Sequence, residues 1–333
     1  MTWVVWRQHR NQAYFAAAAA LAAFAVLMVV TGRQMAWQYQ SALTSCTASH
    51  NCGNLANILN LGNPVLSLLV TLTVAVPCLL GMFWGGPLLA RELETGTSQF
   101  AWTQSVSRRR WLTVEAGWAL LAAAAWGGAV SALVTWWSSP ENALNNQNFQ
   151  PGQFDIQGIV PVGYALFAMA LGITAGALLR RTLPALAVTL GFFIFLRIVV
   201  ADFLRPHYLT ALTRTFSFLH PPALPEGSYW QVSGGVTGPG GLVPASTAHG
   251  GPSITFAGVN LPVSNLPSAC QALMFQNPRR LASCLAGRGY HAVISYQPAS
   301  RYWAFQGIET SIFMVLTAAL LAATAIVVLR RDA

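Results

Sequence analysis

The stretch from Val160 to Leu179, VPVGYALFAMALGITAGALL, runs for twenty residues without a charged side chain. A helix rises about 1.5 Å per residue, so a run of this length crosses the roughly 30 Å hydrocarbon layer of a bilayer. Five other stretches qualify by the same test: Ala13 to Thr31, Val65 to Trp84, Leu112 to Trp137, Pro184 to Leu204 and Ile308 to Leu329. The sequence therefore predicts an all-α integral membrane protein with six transmembrane helices. The first stretch is rich in Ala and resembles a signal peptide, but it is long and no small-residue cleavage site follows it. It reads as a retained helix.

The composition of the 333 residues agrees with this reading. Charged residues make up 8% and hydrophobic residues 54%, and the mean hydropathy is +0.49. A soluble domain carries about 25% charged residues, so a water-exposed globule is excluded. All 18 basic residues are Arg, and the chain has no Lys. That excludes a P-loop, a Schiff-base lysine and the kinase lysine from this chain. If ATP is used through a P-loop, a second polypeptide must bind it.

Orientation follows from Arg near the span ends. Arg7, Arg10, Arg91, Arg108, Arg109, Arg110, Arg180, Arg181, Arg330 and Arg331 fall on one side, and in the short segments of the other side only Arg33 does. Both termini are expected in the cytoplasm, in a multi-pass protein of the plasma membrane. Residues 1–12, with Trp3, Trp6, Arg7 and Arg10, suit an interfacial helix or a simple topology anchor. Residues 13–204 carry spans one to five, residues 205–306 a large extracellular domain, and residues 307–333 span six and a short tail. Residues 205–306 are too many for a connector and suggest a small folded unit. Its Gly-rich centre, Ser233 to Pro252, reads as disordered.

Four of the five Cys fall on the expected outer side in two closely spaced pairs, Cys46 with Cys52 and Cys270 with Cys284. Two disulfides are expected in that oxidising setting. The rival reading, a metal site from Cys46, His50 and Cys52, lacks a fourth ligand at regular spacing. The segment QALMFQNPRRLAS between Cys270 and Cys284 reads as a short amphipathic helix. Ionisable residues in spans are costly and mark structure or function. Glu115 lies near the Arg108–Arg110 cluster and suits pairing with it. Arg197 either reaches outward to Asp202 or faces a cavity, and Glu309 is a candidate partner for it. Pro77 marks a kink in span two.

The segment from Gly85 to Leu112, GGPLLARELETGTSQFAWTQSVSRRRWL, joins spans two and three. Its first part is a short amphipathic helix, with Leu88, Leu89 and Leu93 on the apolar side and Arg91, Glu92 and Glu94 on the polar side. Gly96 stands at a position suited to ending it. The sequence here resembles the permease subunit of type-2 ABC exporters, in particular the actinobacterial branch. The residues that carry the resemblance are Arg91-Glu92-Leu93-Glu94-Thr95-Gly96-Thr97 and Trp102-Thr103-Gln104-Ser105-Val106-Ser107-Arg108-Arg109-Arg110-Trp111. A third echo is Gln297 to Gln306, leading into Glu309.

The resemblance implies that residues 86–97 are a cytoplasmic coupling helix seated on a separate ATP-binding subunit. Arg91, Glu92, Glu94, Thr95, Gly96 and Thr97 would belong to that contact. It also implies a homodimer with two ATPase subunits. ATP and Mg would be held by those partners, with no cofactor in this chain. The path between the two copies would carry a small amphipathic or drug-like molecule outward, and Phe192, Phe193, Phe195, Arg197 and Glu309 are candidates to line it. Two other readings compete. One is a sensory or assembly protein whose outer domain binds a ligand or partner. The other is a membrane-embedded enzyme, for which no Gly-x-Ser-x-Gly, His-Glu-x-x-His or paired carboxylates within a span are present. Nucleic acid is not an expected partner.

Overall fold

The computed structural model describes residues 22–34, 36–38, 40–41, 43–44, 64–94, 107–139, 142, 148–219, 229–239, 241–244, 253–256, 259–262, 267–271, 273 and 278–330. The chain divides into two compact units. The first comprises Met1–Asn146, Gly152–Leu196 and Gln306–Ala333, and the second Gln147–Pro151 and Arg197–Phe305.

Among the described residues the longer helices from residue 64 onward are, in chain order, α1 (Pro64–Leu80), α2 (Gly86–Glu94), α3 (Arg108–Trp137), α4 (Val160–Leu179), α5 (Thr182–Ile198), α6 (Pro278–Gly287) and α7 (Tyr302–Arg330). Among the described residues five helices are long and apolar enough to cross a membrane: Thr71–Glu94, Arg108–Trp137, Val160–Leu179, Thr182–His207 and Ala299–Arg330. Residues 22–31 of the expected first span are helical, the helix running on to 34, and its earlier residues lie outside the described ones. Met28 from this segment packs against Val130, Val134 and Trp137 of α3, and the Trp137 indole N–H donates to Thr31 Oγ1 at 3.0 Å.

Local signals set the helix ends. Ser107 caps α3 by accepting from the Arg110 N–H at 3.4 Å, which satisfies one of the unpaired amides of a first turn. Proline stands at the start of α4, where its missing N–H costs nothing, and Arg180 ends the helix in a left-handed conformation at φ 51°.

The centre of the first unit is α4, whose apolar window is 78% buried, against 22% for the windows in Thr182–His207 and Ala299–Arg330. Glycine allows the close approach of the elbow α2 to this central helix. A Cβ at Gly176 would stand 2.5 Å from the Gly86 carbonyl oxygen, so only glycine lets α2 lie this close to α4. Pro77 sits inside α1, and four residues later the helix widens into a π turn, Gly81–Gly85, closed by the Gly86 N–H donating to the Gly81 carbonyl. Proline removes one bond of the helical ladder, and a π turn is a common way to accommodate one extra residue.

The second unit corrects the all-α expectation. Strands β1 (Leu212–Ser217), β2 (Tyr229–Gly238), β3 (Gly241–Pro244) and β6 (His291–Pro298) form an antiparallel sheet in the order β1-β6-β2-β3. Strands β4 (Ser253–Phe256) and β5 (Val259–Pro262) pair as a separate hairpin. The Gly-rich segment expected to be disordered instead supplies much of β2 and β3, which pair Gly235 with Pro244 and Val236 with Val243. The turn between them is made possible by Gly241 at φ 100°, a conformation that glycine adopts without strain. Residues 245–252 lie outside the described ones.

The amphipathic segment between Cys270 and Cys284 is helical from Pro278 onward as α6, and a separate short helix, Ser268–Gln271, carries Cys270. Pro278 opens α6, where a missing N–H is tolerated. Leu281, Ala282 and Leu285 of α6 join Phe216, Val236, Ala292, Ile294 and Tyr296 in one buried cluster. The Cys270–Cys284 disulfide, with Cα atoms 5.9 Å apart, ties the two helices within that core.

Candidate functional site

The elbow α2 continues α1 through the π turn Gly81–Gly85. Its residues divide by angular position. Leu89 is buried, and with Leu88 and Leu93 it packs among Leu112 and Ala116 of α3 and Met169 and Ile173 of α4. Gly86, Ala90 and Glu94 recur every four residues and so lie along one stripe. That stripe faces α5: a Cβ at Gly86 would come within 3.6 Å of Leu186, and Ala90 clusters with Ala175 and Ala185.

At the end of this stripe Glu94 Oε2 accepts from the Thr182 N–H at 3.2 Å and from Thr182 Oγ1 at 2.9 Å. Thr182 is the first residue of α5. A carboxylate in this position meets the unpaired amides and the positive end of the helix dipole. Arg91 is exposed, and Glu92 is half-buried and close enough to Glu115 of α3 for their charges to repel. Thr95, Gly96 and Thr97 lie outside the described residues, as do Cys46 and Cys52.

The aromatic candidates on α5 do not share a face. Phe192 and Phe195 are exposed, with ring centroids 6.4 Å apart, whereas Phe193 is buried and stacks on Phe167 at 6.1 Å. The residue two before Phe195 points the other way, as helical spacing requires. Arg197 belongs to the second unit and is half-buried. Glu309 belongs to the first, where it is fully buried on α7 and accepts from the Tyr164 hydroxyl of α4. Tyr164 Oη also lies 3.2 Å from Asp155 Oδ1.

Beside this group is a residue that the sequence did not single out for a role. Gln306 is buried, and all its amide groups are used. Its Oε1 accepts from the N–H groups of Ile159 at 2.9 Å and Val160 at 3.0 Å. Its Nε2 donates to the carbonyls of Phe154 at 3.1 Å and Gln157 at 3.2 Å. One side chain of α7 thus caps the start of α4 and holds the turn before it. Further down the same pair of helices Thr174 and Thr324 exchange a hydrogen bond at 2.9 Å. Among the described residues no group of three His, Cys, Asp or Glu is placed to hold a metal ion.

Two polar contacts thus join helices of this apolar unit, the exposed pair of Glu94 with Thr182 and the buried pair of Tyr164 with Glu309. The family model of ABC-2 membrane transporter related proteins matches residues 18–205, which is more than half of the chain and includes α1 to α5. Neither a curated protein nor a solved structure gives a match. With its membrane-length helices and its match through the elbow, this multi-pass membrane protein belongs to the ABC-2 membrane transporter related family, as a permease of the ABC-2 type.

Proposed function

We propose that the chain is the membrane subunit of an ATP-driven exporter, working as two copies with two copies of a separate P-loop ATPase. The observation that carries this reading is the elbow. A rigid helix that continues a membrane-length helix ends in the charged residues Arg91, Glu92 and Glu94, and it is backed by tight contact with α4. Such a helix can take a push from a soluble partner and deliver it to the spans behind it. The chain has no Lys and therefore no P-loop of its own, so the energy source is a second polypeptide.

In this reading the elbow and both termini face the cytoplasm, as the Arg distribution favours, and residues 205–306 face outward. The exposed apolar side chains of α5, including Phe192 and Phe195, would line a path between two copies for a small amphipathic molecule. The test is co-expression with a separate P-loop ATPase, sought among the reading frames that neighbour this one. The pair should co-purify, and ATP hydrolysis should respond to the permease. Replacing Arg91 and Glu92 together by Ala should release the ATPase or remove that response. A double variant with normal retention and normal coupling would overturn the docking role of the elbow.

A further inference from the structure

We propose that Glu94 is a positioning residue that fastens the first turn of α5 to the elbow, so that movement of the elbow is passed to α5. The proposal rests on the reading of the elbow as the ATPase contact. It differs from what the family resemblance implies for Glu94, which is a contact made directly with the partner.

The geometry favours the internal role. Both donors of Thr182, its N–H and its hydroxyl, converge on a single oxygen of Glu94, Oε2, at 3.2 and 2.9 Å. A carboxylate that accepts from a helix N-terminus is held by charge as well as by hydrogen bonds. Only Arg180 and Arg181 separate the end of α4 from the start of α5. Thr182 therefore cannot move far unless α4 moves too. Gly86 and Ala90, two turns and one turn earlier on the same stripe, already meet Leu186 and Ala185 of α5. Glu94 extends that contact to the very first residue of the helix. The three contacts differ in kind. Ala90 against Ala185 is buried, whereas the Glu94–Thr182 pair is exposed. Apolar packing allows α5 to slide along α2, but a directed bond at the tip fixes its register.

The test uses the permease–ATPase complex in nanodiscs. A spin label is placed at Leu183→Cys, in the first turn of α5, where the side chain is 79% exposed. In the otherwise unchanged complex the label should report a shift in mobility or distance when ATP is added. Glu94→Ala should keep the ATPase bound yet reduce the labelled response about fivefold, in line with the loss of a charged helix cap. Glu94→Gln keeps an accepting oxygen and should fall between the two. Thr182→Ala keeps the amide but loses the hydroxyl and should reduce the response less than Glu94→Ala.

Two results would overturn the proposal. In one, Glu94→Ala retains the full ATP-driven response. In the other, Glu94→Ala sheds the ATPase while Thr182→Ala behaves normally, which would make Glu94 a docking residue instead. Hydrogen exchange separates failure of the proposal from failure of the functional reading. If the unaltered permease binds no ATPase, the exporter reading fails, and transmission through Glu94 fails with it. The Thr182 amide should still exchange about fivefold faster in Glu94→Ala, because the cap is a property of this chain alone.

Discussion

Gly172 of α4 and Gly81 at the start of the π turn meet backbone to backbone: a Cβ on Gly172 would stand 2.2 Å from the Gly81 carbonyl oxygen and 2.7 Å from the Gly86 nitrogen. No side chain rotation relieves such a clash, because the atoms it strikes belong to the main chain. The contact lets two helices approach far more closely than side chains normally allow, and close approach through small residues is a main source of adhesion between helices in lipid.

Gly172→Ala should therefore push α4 away from the elbow and destabilise the helical unit by about 1–3 kcal/mol or more. Thermal unfolding in detergent checks this against Gly128→Ala on α3, where nothing lies within 4 Å of the added Cβ. The second variant should be neutral or gain about 0.5–1 kcal/mol from the better helix propensity of Ala. Equal melting temperatures for the two variants would disprove the account of the close contact.

Gln306→Glu preserves the shape of the side chain but removes both donors. A carboxylate would then face the carbonyl oxygens of Phe154 and Gln157 that Nε2 now serves. The expected cost is about 1–3 kcal/mol for each buried polar group left without its partner. The change should lower the melting temperature and speed amide exchange at Ile159 and Val160. Unchanged exchange at those two amides would show that they do not depend on Gln306.

Tyr164→Phe removes the hydroxyl shared between Asp155 and Glu309. The loss should cost about 1–3 kcal/mol, because a buried acceptor gives up its donor. Glu309→Gln should cost less, since its amide oxygen can still accept from Tyr164. If Glu309→Gln proves the more damaging of the two, the charge of Glu309 matters more than its bond to Tyr164.

Replacing Cys270 and Cys284 together by Ser opens a loop with a sequence separation of 14. A loop of that length should take about 3 kcal/mol from the stability of the second unit. Limited proteolysis should then cut near α6 sooner than in the parent protein, while the melting of the helical unit should change little. Equal cleavage rates before and after the substitution would refute a stabilising role for this disulfide.

The apolar runs were readable because a membrane-spanning helix must be apolar over its whole length, and that demand leaves a mark at every residue. The order of burial was not readable, since Val160–Leu179 and Thr182–Ile198 are similarly apolar but only the first is enclosed. The information lay in Gly172 and Gly176, whose meaning depends on contacts with Gly81, Gly86 and Ala90, far away in the chain. The pairing of Cys270 with Cys284 was readable from local spacing. The sheet was not, because β2 pairs with β6, and the glycines of β2 and β3 look like disorder when taken alone. Glu94 was assigned to the polar side of α2 on the basis of its period. A helical wheel cannot show that the first turn of α5 occupies the space on that side.

The extra residue in the Gly81–Gly85 turn has an angular consequence for everything after it. One residue corresponds to about 100° of rotation in a regular helix. Were the turn an ordinary α-helical one, Gly85, Leu89 and Leu93 would stand where Gly86, Ala90 and Glu94 now stand. Two leucines would then crowd the first turn of α5, and Thr182 would lose its carboxylate. The widened turn thus sets the phase of the elbow, much as an inserted base sets a reading frame.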